Sequence, residues 1–230
     1  MKKTALIFYI IIILSAYTKA QEKDYGIWTT ISLEKKIKKL DIELNSELRT
    51  FNNSQDINRL SFQLDASYKI YFLKLGLGYQ FIYFNDIKYN DYQPRQRYIA
   101  YLIGKKSYKN FTFSIRERFQ RTIKDERDRI RIDGSYDTYK VNPEWEWRNK
   151  IKISYNSKNT PIITSLSFES FYCLNDPDNK FFNELRYSLD LDYRLSKKHT
   201  ISIYGLIDKE INVTNPLTRY ITGIAYKYSF

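Results

Sequence analysis

Few residues of this 230-residue chain have the types and spacing that hydrolysis requires. The chain has one histidine, His199, and one cysteine, Cys173. Nucleophilic catalysis of the acyl-hydrolase kind would need His199 beside a serine and a carboxylate. His199 follows the polar run 196–198, so it is expected in a short solvated turn. We therefore expect no enzymatic activity, and an envelope-lipid hydrolase that uses His199 is the weakest functional hypothesis.

Metal ligands are equally scarce. One histidine and one cysteine cannot supply the nitrogen and sulfur ligands of a tetrahedral zinc site. The segment NDPDNK at 175–180 spaces its carboxylates like a calcium loop, but it lacks the full ligand set and is expected to be a polar hairpin loop. A single cysteine also excludes an intrachain disulfide. No metal and no cofactor are expected.

The remaining candidates are charged side chains that alternate with apolar ones. In the segment 185–195, LRYSLDLDYRL, every second residue is apolar, and Arg186, Asp190 and Asp192 lie between the apolar positions. The segment 40–49, LDIELNSELR, has a similar period of two. This period predicts β-strands with one apolar and one polar face.

The first 20 residues are typical of a secretory signal peptide. MKKTALIFYIIIILSAYTKA begins with two lysines, continues with an apolar run and ends in small and polar residues. The apolar run over 5–14 is shorter than the about 20 residues that a membrane-spanning helix needs. We expect cleavage after Ala20, which leaves residues 21–230 as a single domain.

The exported chain is expected to be basic. Its net charge falls from +12 to +9 when Lys2, Lys3 and Lys19 are removed with the signal peptide. Because it has no helical pattern, glycine-rich loop or zinc spacing, we expect no binding to nucleic acid. A positive charge suits instead a surface near anionic lipid head groups, and lipid and lipopolysaccharide are the expected surroundings.

The composition favours a membrane barrel. The mean hydropathy is −0.56 and 28% of residues are charged, yet 17% are aromatic, with 22 tyrosines and 14 phenylalanines. A transmembrane β-barrel reconciles these values, since its strands are apolar outside and polar inside and aromatic girdles mark both interfaces. A soluble barrel or sandwich also alternates, but several runs here reach ten or more residues, long enough for a tilted strand to span the bilayer.

Eleven runs of this kind are predicted, at 25–37, 40–50, 58–70, 72–84, 94–105, 110–122, 145–155, 161–174, 181–195, 199–210 and 217–230. Short and long connections alternate, as in outer-membrane barrels with tight periplasmic turns and longer outward loops. Such barrels have an even number of strands. We therefore expect an all-β, antiparallel up-and-down barrel of twelve strands, with ten as the alternative. For twelve strands, the additional one is expected within 123–144, where Ile130-Arg131-Ile132 is typical of extended chain. In the alternative, the first run is not a wall strand.

If the apolar faces meet lipid, charged residues of both signs line the interior. These are Glu43, Glu47, Arg49, Arg116, Arg118, Glu146, Arg148, Lys150, Lys152, Glu169, Glu184, Arg186, Asp190, Asp192 and Arg194. One interpretation is a ladder of ion pairs that fills a narrow barrel. The other is a selectivity lining for a pore or a small anionic solute. The cluster of Arg148, Lys150 and Lys152 is the first candidate for contact with an anion.

The last strand, YITGIAYKYSF, ends in Phe230, with Tyr228, Tyr226 and Ile224 at alternate positions before it. This pattern resembles the recognition signal that the barrel-assembly machinery reads in outer-membrane proteins. We expect these four side chains to face lipid, with Lys227 and Ser229 facing the interior.

The chain also resembles the domain-of-unknown-function family 2490 of Bacteroidetes. The resemblance rests on YGIWTTISLEKKI, IELNSELRT, QPRQRYIAYLIGKK, FTFSIRERFQRT and EWEWRNKIKISYN. It implies a barrel in the outer membrane of a Gram-negative bacterium, but no activity. Two functional hypotheses remain: a narrow pore or solute-binding barrel, and a non-conducting barrel whose loop at 123–144 meets a partner or lipopolysaccharide.

Overall fold

The structure, a computed structural model, describes residues 22–86, 88–89, 91–131, 133–157, 159–213 and 215–230. The predicted signal peptide, residues 1–20, lies outside these ranges. Within them, no helix is long and apolar enough to cross a membrane. The described chain forms eleven strands: β1 Glu22–Ile37, β2 Leu40–Phe51, β3 Asp56–Ile70, β4 Leu73–Asp86, β5 Asp91–Tyr108, β6 Phe111–Lys124, β7 Glu144–Asn156, β8 Ile162–Cys173, β9 Phe182–Arg194, β10 His199–Glu210 and β11 Leu217–Ser229.

The strands close into one barrel. Each strand pairs antiparallel with the next along the chain, and β1 pairs with β11 to complete the wall. This last pairing is parallel, from Glu22 opposite Leu217 to Glu34 opposite Ser229. The predicted all-β barrel is confirmed, but the expected strand number of twelve or ten is wrong for the described chain. Eleven strands that alternate in direction leave the first and last pointing the same way, so a parallel pair closes the wall.

The segment between β6 and β7 contributes no strand to the wall. Its described residues contain a single isolated bridge, between Ile130 and Tyr136. The extended character predicted around Ile130 therefore belongs to a small local hairpin. The first predicted run is a full wall strand, β1, which begins at the end of the barrel that carries the long connections.

The outer surface of the barrel is apolar. Large apolar side chains that alternate along the strands are exposed, and Leu189, for example, keeps 48% of its surface accessible. The fully buried side chains instead include Gln120, Glu169, Ser61 and Ser165. A water-soluble barrel would show the reverse distribution. Apolar residues outside and polar residues inside are the pattern of a barrel whose wall meets hydrocarbon.

The C-terminal strand forms part of the wall up to its last residue. Phe230 is 63% exposed on the outer surface, and its ring packs edge-on against Tyr228 at 4.8 Å. Its backbone N–H donates to the Glu34 carbonyl oxygen at 2.9 Å. On the inner side, Lys227 pairs with Glu43 at 3.1 Å. The terminus thus has the orientation that the alternation predicts, while a role in assembly stays a prediction.

Two glycines on the inner surface make room for tyrosine rings from the adjacent strands. The Tyr204 ring lies over Gly223, where an added Cβ would come within 2.4 Å of three ring carbons. The Tyr101 ring lies over Gly76 in the same way. An aromatic ring that covers a strand glycine helps to fix strand register. Because Gly223 lies opposite Trp28 across the parallel pair, this contact supports the closure of the barrel.

Replacing Gly223 tests this packing. We expect Gly223→Ala to lower the free energy of unfolding by about 1–3 kcal/mol, because the methyl group overlaps the Tyr204 ring. Gly205→Ala is the matched control, since an added Cβ there meets nothing within 4 Å. Urea unfolding of the refolded barrel, followed by tryptophan fluorescence, measures both. Equal effects of the two substitutions would show that the Tyr204 contact does not support closure.

Candidate functional site: a charged cavity inside the barrel

A cavity of about 410 Å³ lies inside the wall, in the half nearer the long connections. Among the described residues, seven arginines and four carboxylates line it. We call this space the interior cavity, and its charged lining comprises Arg49, Arg59, Arg97, Arg118, Arg148, Arg186, Arg219, Glu47, Glu146, Glu184 and Asp208. Each side chain is there because inward positions recur every second residue along a strand.

One side of the cavity, formed mainly by β9 and β10, carries compensated charge. Arg186 Nη2 donates to Asp208 Oδ2 at 2.8 Å and to Glu184 Oε1 at 2.9 Å. The Arg186 guanidinium also lies 5.2 Å from the Trp28 ring and 4.8 Å from the Phe171 ring. This guanidinium is held by charge, hydrogen bonds and aromatic faces together, so its position is fixed.

On β2, Arg49 and Glu47 form a close pair. Arg49 Nε donates to Glu47 Oε1 at 2.6 Å, and Nη2 donates to Oε2 at 3.0 Å. The Arg49 guanidinium stacks 3.4 Å from the centre of the Trp28 ring. Two parallel hydrogen bonds give this pair a defined geometry, and both charges are largely compensated.

Glu169 on β8 serves several cations at once. It is 2% exposed and accepts from Arg116 at 2.5 Å and from Arg148 Nε at 2.9 Å. Lys150 Nζ lies 4.0 Å from its other oxygen. Because one carboxylate faces three cations, this cluster keeps a positive excess inside the wall.

Three arginines have no carboxylate of their own. Arg97 donates to the neutral acceptors Thr122 at 2.9 Å and Gln80 at 3.3 Å. Arg118 makes no hydrogen bond or ion pair within the part of the chain that the structure describes, and its register partner on β7 is Arg148. Arg59 lies 3.5 Å from Glu47, which is already taken by Arg49.

We call Arg59, Arg97 and Arg118 the arginine face. They lie on β3, β5 and β6, and all three line the interior cavity. Each guanidinium carries five N–H donors in a planar fork that matches a carboxylate or a phosphate. Here those donors are only partly used. The unused donors of Arg97 and Arg118 can therefore hold an anion while Arg59 keeps its contact with Glu47.

Below the cavity, charged side chains bridge neighbouring strands. Lys74 pairs with Asp41 at 2.8 Å, and Lys152 lies 3.8 Å from Asp190. Ser202 donates to Asp192 at 2.6 Å. This half of the interior is the ion-pair ladder that buried charge requires.

The structure brings together only part of the charged set predicted from sequence. The interior cavity contains Glu47, Arg49, Arg118, Glu146, Arg148, Glu184 and Arg186. Interstrand contacts around or below it involve Glu43, Arg116, Lys150, Lys152, Glu169, Asp190 and Asp192. Arg194 lies exposed at the end of β9.

Sequence reasoning missed four charged residues of the cavity: Arg59, Arg97, Asp208 and Arg219. The alternation contained the signal for each. Arg59, Ser61 and Gln63 are alternate residues of β3, so they share its polar face. Arg95 and Arg97 are alternate residues of β5 and share one face in the same way. Lys150 and Lys152, the first candidates for contact with an anion, both lie beside carboxylates.

His199 lies outside the cavity, at the start of β10. Its Nδ1 is 2.6 Å from the Tyr226 hydroxyl oxygen, and its ring packs between Tyr226 and Tyr228 on the outer surface. Its side chain therefore meets aromatic residues, and not the serine and carboxylate of a hydrolase. In the described ranges, no three His, Cys, Asp or Glu side chains are grouped to hold a metal ion.

The long loop at 125–143 folds back onto the barrel rim through Arg129. The Arg129 side chain is buried, pairs with Asp86 at the end of β4, and stacks 3.8 Å from the Tyr139 ring. The Tyr139 hydroxyl in turn lies 2.9 Å from Asp86 Oδ2 and 2.8 Å from Gln93 Oε1. These contacts hold the described part of the loop against inward-facing side chains at the ends of β4 and β5.

Asp137 completes this loop cluster. It accepts hydrogen bonds from Lys88 at 2.7 Å, Tyr89 at 2.5 Å and Arg131 at 2.8 Å. The hydrogen bonds from Lys88, Tyr89 and Arg131 hold the pKa of the Asp137 carboxyl well below its usual range. The loop therefore keeps this anchor throughout the neutral and mildly acidic range.

Comparison with known proteins gives one family and several distant barrels. A family model described as "Protein of unknown function (DUF2490)" matches residues 25–216. Among solved structures, the chain is similar to "KdgM porin", with 13% identity, a TM-score of 0.49 and coverage of 90% of this chain and 98% of that one. It is also similar to "KdgM porin in complex with disordered oligogalacturonate", with 15% identity, a TM-score of 0.48 and coverage of 90% of this chain and 98% of that one. A third similar structure is a porin refined at 1.8 Å, with 10% identity, a TM-score of 0.37 and coverage of 84% of this chain and 58% of that one. No curated protein matches the chain.

Replacing Glu169 tests the interior charge balance. We expect Glu169→Gln to lower the free energy of unfolding by about 3–5 kcal/mol, because it leaves buried cations without their carboxylate. Glu43→Gln is the matched control, since Glu43 is more accessible and serves only Lys227 among the ion pairs of the described chain. It should cost about 1 kcal/mol or less. Urea unfolding distinguishes the two, and a Glu169 variant as stable as the control would contradict the account.

Replacing Asp137 tests the loop anchor. A depressed pKa gives stabilisation that is complete above the unfolded value of about 3.9 and is lost only as the pH falls through the folded value. Wild-type protection of 125–143 from protease should therefore be equal at about pH 7 and pH 5. Asp137→Asn should expose the loop at both pH values. Asp133→Asn should not, because the Asp133 carboxyl accepts hydrogen bonds from the neighbouring Ser135 and contacts no strand of the wall among the described residues. Protection that is lost between these pH values would refute the anchor.

Proposed function

The chain belongs to the DUF2490 family of proteins of unknown function, and we propose that it is an outer-membrane barrel that admits small anionic solutes to its interior. We place it in a Gram-negative bacterium, exported with a cleaved N-terminal signal peptide. The apolar outer surface supports the membrane location, because hydrocarbon accepts only helices and closed barrels. Aromatic pairs towards both ends of the wall, such as Tyr83 with Tyr92 and Phe111 with Tyr155, add the girdles expected at its two interfaces.

The observation that carries the anionic preference is the arginine face. Arg97 and Arg118 hold positive charge inside a closed wall without a carboxylate of their own. The opposite side of the cavity has the fixed pair of Arg186 with Glu184 and Asp208. A passing anion would meet unused donors on one side and compensated groups on the other. Charge-assisted hydrogen bonds to guanidinium groups would favour carboxylates and phosphates over neutral solutes.

The size of the interior supports a narrow path. Eight-stranded barrels are filled by side chains, whereas porins of 16–18 strands contain wide channels. The eleven strands described here fall between these cases. The cavity of about 410 Å³ is crowded by arginine side chains, and Arg129 ties the loop to Asp86 at the end of β4. Solutes of the size of a small organic acid or a phosphate fit this interior better than large ones.

The two interpretations of the charged interior apply at different heights. Below the cavity, side chains such as Lys74 and Asp41 pair across strands and stabilise the wall. At the cavity, arginines outnumber carboxylates. The arginine face gives the cavity unused donors and a positive excess, so we assign selectivity to the cavity and mechanical support to the ladder.

Ion selectivity in planar bilayers tests the proposal. In a salt gradient, the reversal potential of the wild-type protein should show a preference for chloride over potassium. The double variant Arg97→Gln, Arg118→Gln should reduce that preference about fivefold, or about 1 kcal/mol, because two positive charges are lost from the cavity. Arg194→Gln removes the same kind of charge from an exposed strand end and should leave the preference unchanged.

Two outcomes would contradict the proposal. One is a folded wild-type barrel that conducts no ions and does not bind phosphate or a small carboxylate. The other is a selectivity that the double variant does not change relative to Arg194→Gln.

A further inference from the structure

The end of the barrel that carries the short connections is rich in lysine. By sequence, no aspartate or glutamate occurs in these connections, 38–39, 71–72, 109–110, 157–161 and 195–198. Three of the turns carry exposed lysines, namely Lys38, Lys39, Lys109, Lys197 and Lys198. Lys35 on β1 and Lys106 on β5 are exposed at the strand ends beside these turns. We call these seven lysines the lysine rim.

The chain does not neutralise the charge of the lysine rim. None of the rim lysines makes an ion pair with a carboxylate within the described residues. In the long connections, by contrast, several cations are paired. Lys88 lies 2.7 Å from Asp137, for example, and Lys140 pairs with Asp178 in the same way. The end with the short connections therefore presents positive charge that is available to a group outside the chain.

The lysine rim lies where the apolar outer surface ends. Lys35 lies between the exposed apolar residues Leu33 and Ile37 on β1. In the β3–β4 turn at the same end, Tyr71 and Phe72 are 90% and 66% exposed. Aromatic side chains mark the interface of a membrane, and a lysine beside apolar surface extends its ammonium group to the head groups. The rim is therefore level with lipid phosphates.

Turn geometry does not account for two of these lysines. Lys38 and Lys109 have φ angles of 55° and 52°, in the left-handed region. Tight turns favour glycine, asparagine or aspartate at such positions, because these residues adopt a positive φ at the lowest cost. Lysine has no such advantage in the turn. A contact between its ammonium group and a group outside the chain gives a reason for its presence there.

The lysine rim is spread around the barrel. Its turns join β1 to β2, β5 to β6 and β9 to β10, so neighbouring turns are about four strands apart along the wall. With about 4.8 Å between strands, this separation is roughly 20 Å. One small anion cannot bridge it, and a compact acidic protein would meet only part of the rim. Several separate anions arranged around the wall fit it better, and a lipid leaflet supplies them.

We propose that the lysine rim binds the phosphate groups of anionic phospholipids in the surrounding leaflet. The proposal rests on the membrane location proposed above and not on the anion preference of the interior cavity. Short connections of outer-membrane barrels face the periplasm, so this leaflet is the periplasmic one. Lysines just outside the hydrocarbon attract anionic head groups, and those on several turns fix the height of the barrel in the membrane.

The lipid composition next to the rim tests this proposal. A fluorophore on Asn110→Cys, in a Cys173→Ser background, reports on the β5–β6 turn of the folded protein. The vesicles contain phosphatidylcholine and phosphatidylglycerol, and one of the two lipids is brominated so that it quenches the label. Quenching should show a local preference for phosphatidylglycerol of about threefold or more, because several lysines act on the adjacent head groups. The direction of insertion does not matter, since both leaflets have the same composition.

Two sets of substitutions identify the groups responsible. Glutamine should bring the preference close to one and arginine should retain it when either replaces the four lysines near the label, Lys38, Lys39, Lys106 and Lys109. The matched control removes four exposed cations from the other end of the barrel, Lys23, Arg127, Lys140 and Lys180. Glutamine at these four positions should leave the preference unchanged. Heat-dependent gel migration verifies that each variant is folded.

Three results would overturn the proposal. Equal quenching by the two brominated lipids in the wild type would do so and would leave the membrane location intact. A preference that the rim variant and the control variant lower to the same extent would also do so, because the charge would then act without regard to position. A folded protein that enters neither kind of vesicle would overturn the membrane location as well.

Discussion

The closure of β1 on β11 is the constraint on which the rest of the molecule depends. A wall in hydrocarbon must pair its backbone groups internally, and only a closed sheet does so. Eleven alternating strands can close only through a parallel pair, which here runs over thirteen residue pairs. Inside this closure, Trp28 packs with Leu206 and Ile221, the main apolar cluster among the described interior residues. Once the wall is closed, the parity of each residue decides whether it meets lipid or the interior.

That parity explains how charge is distributed. Carboxylates and cations on inward positions are enclosed, so most must pair, as Glu169 does with Arg116 and Arg148. The pairing is incomplete near the mouth, where Arg97 and Arg118 keep unused donors. A fully neutralised ladder would only support the wall. We propose that the local positive excess at the height of the cavity adds a capacity to bind anions.

Much of the fold could be predicted from the sequence, because a period of two is a local signal. The strands, the outward orientation of Ile224 and Tyr228, and the inward orientation of Arg186 all follow from alternation. The strand number could not be predicted in this way, since closure is a property of the whole sheet and the rule of even numbers excluded the parallel pair. Which arginines lack a direct ion pair with a carboxylate also depends on the register between neighbouring strands, and a single strand's pattern does not contain it. The sequence predicts that Arg118 is inward, but only the structure shows that its register partner is Arg148.

The central claim is that alternate residues of each strand meet hydrocarbon and a polar interior. Single cysteines along β9, introduced in a Cys173→Ser background and labelled with a fluorophore, test this claim directly. In vesicles, a lipid-borne quencher should act on labels at Leu189 and Leu191, and an aqueous quencher on those at Ser188 and Asp190. We expect quenching to alternate in this way with a period of two along β9. Uniform quenching from water at all four positions, or a protein that stays out of vesicles, would contradict it.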